Sequence, residues 1–160
     1  MHVRRGAAAV VLGAAMLLAG GAARAESATC DIPIIHATSG GAGTDIDPKI
    51  DLLKPYLSKP PFTAWHEFKM LDHKVLTLAE NGQQQFTLPN GRTATLTFLG
   101  HTPGPGEHRM RLRLLIEHPE KKHRVVDTTF VLDEGGVTLQ GGTKHEGGVL
   151  ILGISCKTRD

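Results

Sequence analysis

Residues 108–133 read HRMRLRLLIEHPEKKHRVVDTTFVLD, and the fold turns on how this stretch is read. In its first half, Met110, Leu112, Leu114 and Ile116 alternate with Arg109, Arg111 and Arg113. Side chains along a strand point to opposite faces in turn, so this alternation predicts a strand with one buried and one solvated face. The second half brings Val126, Phe130 and Leu132 after a charged, proline-containing connection, which predicts a hairpin. Two registers compete. If His118 faced His123, Leu114 would oppose Asp127 and Leu112 would oppose Thr129. A slip of one residue instead pairs Met110 with Leu132, Leu112 with Phe130, Leu114 with Thr128 and Ile116 with Val126. Such a slip exchanges faces, so the apolar pattern selects the second register. It sets His118 against Arg124 and leaves His123 in the turn.

The same period extends outward in both directions. Upstream, Phe86 and Leu88 lead through Pro89-Asn90-Gly91 to Ala94, Leu96 and Phe98, a second hairpin. Phe68 and Met70 answer Leu76 and Leu78 across Asp72-His73-Lys74, read as a turn. Downstream come Val137 and Leu139, then Leu150, Leu152, Ile154 and Cys156. At the other end, CDIPIIH puts Cys30, Ile32 and Ile34 on one face. Asp47-Pro48 supplies an N-cap and a first-turn proline for one short helix with the apolar stripe Ile50, Leu53 and Leu57. The fold class expected is all-β: an antiparallel β-sandwich or partly open barrel of eight to nine short strands, with one short helix near the N-terminus.

Residues 1–25 read as a secretory signal peptide. Arg4 and Arg5 precede an apolar run, and Ala23-Arg24-Ala25 is a small-x-small cleavage pattern. Leu18-Ala19-Gly20 resembles a lipobox, but Gly21 stands where that pattern requires cysteine. Residues 26–160 are then a single β-rich domain, with no transmembrane segment after signal cleavage. Cleavage removes three of the 18 basic residues and none of the 16 acids. The remaining chain is near neutral and gives no electrostatic case for nucleic acid. Its two cysteines, Cys30 and Cys156, are expected to form a disulfide, because an exported chain meets an oxidising compartment and C-x-x-C is absent. The expected location is periplasmic or secreted.

Chemical motifs are scarce. The chain lacks G-x-S-x-G, H-E-x-x-H, a Walker loop and a dinucleotide glycine motif. DIDPKID departs from a calcium loop at Pro48 and Lys49. The histidines sit at many separate turns, whereas zinc needs three or four ligands converging within about 2.3 Å. His36 and His66 fall on the apolar parity of their strands and are the metal candidates, each also readable as a half-buried histidine with one backbone partner. No cofactor is expected. Two surfaces are candidates for binding. One is the strip Arg109, Arg111 and Arg113, which shares its face with Thr93, Thr95 and Thr97. Asp133 faces Arg109 and Asp127 lies diagonal to Arg113, while Arg111 lacks an acid. The other is the loop GGTKHEGG, residues 141–148, which presents Lys144, His145 and Glu146 between paired glycines. The functional expectation is an exported, non-catalytic bacterial envelope β-domain that binds or supports another envelope component, its partner an envelope protein or an acidic ligand. The alternatives are a small-molecule or metal-ion binder using its histidines, and a hydrolase with a cryptic site.

Overall fold

The structure, a computed structural model, describes residues 26–102, 108–120 and 123–159. The leader and its cleavage site lie outside these residues, as does most of the TPGPGE connection. Nine strands are described. They are β1 (Ser27–Thr38), β2 (Asp45–Ile46), β3 (Glu67–Ala79), β4 (Gln83–Thr87), β5 (Thr93–Thr102), β6 (Arg109–Glu117), β7 (Arg124–Asp133), β8 (Thr138–His145) and β9 (Gly148–Arg159). They form two sheets, ordered β2-β3-β1-β9-β8 and β4-β5-β6-β7. The sheets face each other and do not close into a barrel.

The alternating residues named above fill the space between the sheets. Ile32 and Ile34 of β1, Leu96 and Phe98 of β5, Met110, Leu112, Leu114 and Ile116 of β6, and Leu150, Leu152 and Ile154 of β9 are all buried in one cluster. Cys30 and Cys156 belong to it. They face each other directly across the β1–β9 pair and are disulfide-bonded with Cα atoms 4.0 Å apart. A buried disulfide fits a chain that folds in an oxidising compartment rather than in the cytosol. Among the described residues, no helix is long and apolar enough to cross a membrane.

A second, smaller core lies on the outer face of the five-stranded sheet. Asp47 caps a helical segment, Pro48–Leu53 in 3-10 form continued by the α turn Lys54–Leu57. Its stripe of Ile50, Leu53 and Leu57 is buried against Ile35, Ala37, Phe68 and Ile151. The Asp47 carboxylate accepts from the backbone N–H of Lys49 at 3.0 Å and of Met70 at 3.2 Å, tying the cap to β3. These bonds, first that from Lys49, hold its pKa below the usual carboxylate value.

One local expectation is corrected. Asp72-His73-Lys74 is not a turn but the middle of the continuous 13-residue strand β3. Asp72 pairs with Ile34 and Met70 with Ile35, so Leu71 is an extra residue opposite no partner. The bulge reverses the facing of the strand. Phe68 therefore enters the outer core, while Leu76 and Leu78, of the same sequence parity, enter the inner one.

Candidate functional site

The segment read as the loop 141–148 is mostly strand. β8 continues to His145, and only Glu146 and Gly147 form the turn to β9. Both have positive φ, 37° and 75°, as a two-residue type I′ hairpin requires. Gly142, with φ 117°, is an extra residue between the Gly141–Ile151 and Thr143–Leu150 pairs. This glycine bulge turns Thr143 and His145 toward the inside of the sandwich and Lys144 outward.

The hairpin tip is tethered on both sides. His36, on the inner face of β1, donates from Nε2 to the His145 carbonyl at 3.1 Å, and the two rings meet edge to face with centroids 5.0 Å apart. Asn90, from the β4–β5 turn of the opposite sheet, donates from Nδ2 to the Lys144 carbonyl at 3.1 Å. Gly148 is required where β9 starts: a Cβ there would lie 2.1 Å from the Ala37 carbonyl oxygen. The Thr143 hydroxyl is buried behind the tip and has no hydrogen-bond partner among the described residues.

Trp65, which the sequence reading did not single out, stands beside this tip. It is the chain's one tryptophan. It follows the 3-10 turn Phe62–Ala64 and packs against the outer core while remaining half-exposed. With Lys144, His145, Glu146, Gly147, Gly148 and Val149 it lines a hollow of about 400 Å³. An adjoining hollow of about 370 Å³ shares Trp65 and Val149 and extends over Phe62 and Gly141. Aromatic rings beside a few oriented polar groups are the usual composition of a ligand site. The signal in the sequence was a lone tryptophan shortly after the helix-ending Pro60-Pro61.

The other sequence candidates are not drawn into this place. His66 lies just before β3, where Nδ1 donates to the Ser39 carbonyl at 3.3 Å. Arg109 pairs with Asp133 at 3.1 Å. Arg113 grips Asp127 with two bonds of 2.8 Å, and Arg124 adds a third at 2.9 Å. The Arg113 guanidinium in particular holds the Asp127 carboxyl below its usual range. Arg111 opposes the exposed Val131. The strip lies open on the outer face of the four-stranded sheet, on the opposite side of the sandwich from the helix.

The hairpin that set the fold needs its own correction. From Arg109 to Ile116 the β6–β7 register follows the apolar pattern, but Glu117 pairs with Arg124 and leaves Val125 unopposed. This bulge restores the pair that the sequence reading had set aside. His118 donates its backbone N–H to the His123 carbonyl at 3.1 Å, and the rings stack with centroids 5.4 Å apart. Apolar burial governs the strand body, while beyond Ile116 no core side chain holds the register and the turn decides it. Among the described residues, no three His, Cys, Asp or Glu side chains converge as metal ligands.

The chain matches no known family, no characterised protein and no solved structure with which it was compared.

Proposed function

We propose that this chain is an exported, non-catalytic β-domain of the bacterial envelope, periplasmic or secreted, that binds another envelope component through the hollow beside Trp65. One observation carries the reading. The Lys144–Glu146 tip is tethered by hydrogen bonds from both sheets and walls a hollow with the half-exposed Trp65. A polar tip held in place loses little conformational freedom on binding, and a tryptophan offers a large rigid surface, so both favour recognition. The arginine strip is the lesser candidate, because Arg109 and Arg113 already meet acids. Export rests on the leader pattern and agrees with the buried disulfide.

Affinity capture from a solubilised envelope fraction tests the reading, with melting curves measured alongside. Trp65→Ala and Glu146→Lys should each lose the component that the parent chain recovers, while Arg111→Gln retains it. Recovery unchanged by both substitutions would remove the hollow from the account. Intact-mass analysis of the exported chain should give a start at Glu26, and an uncut leader would remove the export reading.

A further inference from the structure

The outer face of the five-stranded sheet holds a second concavity, away from Trp65. We propose that it is a binding groove for a single-chain fatty carboxylate. The groove encloses about 530 Å³ between the helical segment and strands β3, β1 and β9. That is within the range of about 300–1,000 Å³ typical of small-molecule sites. Its floor is apolar: Ile50 and Leu53 from the helical segment are buried, and Met70 and Val137 are half-buried. Gly153 lets the walls close in, since a Cβ there would lie 3.0 Å from Pro33 Cγ and 3.2 Å from Leu53 Cδ1.

The mouth has a different chemistry. Lys49 and Lys157 are exposed on its rim. One carboxylate, that of Asp31, also lines the groove, where it accepts from His73 Nε2 at 2.6 Å, and the Asp47 carboxylate beside Lys49 is turned to the backbone N–H groups of Lys49 and Met70. Leu52 also lines the groove, yet it is 91% exposed. A lone exposed leucine is ordinary. This one extends an apolar floor out to solvent, which is the surface a hydrocarbon chain would cover. Two lysines against one aspartate leave the lining net positive, which favours a carboxylate head, held by charge-assisted hydrogen bonds, over a cationic one.

Dodecanoate below its micelle concentration is the probe, titrated calorimetrically into the folded chain, with dodecyltrimethylammonium as the charge-reversed comparator. Dodecanoate should bind at one site, about tenfold tighter than the cation. Leu52→Glu and the double change Lys49→Gln with Lys157→Gln should each weaken it about tenfold, at unchanged melting temperature because these side chains are exposed. Val131→Glu on the other sheet and Glu146→Lys, exposed at the rim of the hollow, should leave it unchanged, which separates this groove from the hollow. Absent binding, equal binding of the cation, or full binding by Leu52→Glu would overturn the proposal. So would binding to phosphatidylglycerol vesicles without binding to monomeric dodecanoate, which would make the surface a membrane contact instead.

Discussion

The two sheets turn unlike faces to the outside. The five-stranded sheet carries a second apolar core on its outer side, built from Ile35, Ala37, Phe68 and Ile151 and covered by the helical segment. The four-stranded sheet has Gln83, Gln85, Thr97, Thr129 and the arginine strip on its outer side, and no helical segment packs on that side among the described residues. Both sheets share one inner core and one alternation rule. What differs is the residue placed at the outward positions, and that choice decides where concavities form. The helical segment and the chain around the 3-10 turn pack on the five-stranded sheet, and the hollows and groove are lined jointly by these segments and the strands. Among the concavities described, none is lined by the outward residues of the four-stranded sheet.

The largest expected effect concerns the disulfide, which staples the central strand β1 of the five-stranded sheet to its neighbour β9. Cys30 and Cys156 are 126 residues apart, so in the chain-entropy view their bond stabilises the fold by up to about 5 kcal/mol. Reduction should lower the melting temperature steeply. A melt unchanged by reduction would show that the remaining packing alone holds the sheet.

Next comes the outer core itself. Phe68 is 1% exposed there, and Phe68→Ala should cost about 4 kcal/mol in denaturant unfolding. A loss below about 1 kcal/mol would mean that the outer layer is a loose cover, and the contrast between the faces would weaken.

A smaller effect belongs to the polar face and depends on pH. The folded pKa of Asp127 is depressed, so its contribution is present above the unfolded value and disappears as pH falls through the folded one. An NMR titration should give Asp127 a midpoint below 3.8, and Asp127→Asn should flatten the acid limb of the stability curve in that window. A midpoint at or above that value would show the bidentate contact with Arg113 to be loose in solution. The smallest effect is expected at Arg111, where replacement by Gln should change stability by less than about 0.5 kcal/mol. A larger loss in thermal melts would show this face to carry structure that its exposure does not suggest.

The sequence made the inner core legible because a period of two, sustained from Met110 to Ile116, admits few other arrangements. The helix cap at Asp47 and the terminal disulfide were legible for equally local reasons. Four bulges escaped it, at Leu71, between Phe98 and His101, at Val125 and at Gly142. A bulge leaves composition unchanged and shows only in which partner each residue meets. Yet the Leu71 bulge sends Phe68 to the outer core, and the Gly142 bulge aims His145 at His36. The candidate site was therefore half visible. Lys144, His145 and Glu146 stood out as a polar tip, whereas Trp65 lies about 80 residues away in the chain and joins them only through the register of the sheet.

Site-specific photocrosslinking in intact cells tests most directly whether the enclosed face, rather than the flat one, does the binding. A photoreactive residue in place of Glu146, 80% exposed at the rim of the hollow, should give a discrete adduct with an envelope component. The same residue in place of the exposed Thr129, on the arginine-bearing face, should give none. An adduct from position 129 and none from position 146 would contradict the account and move the binding surface to the arginine strip.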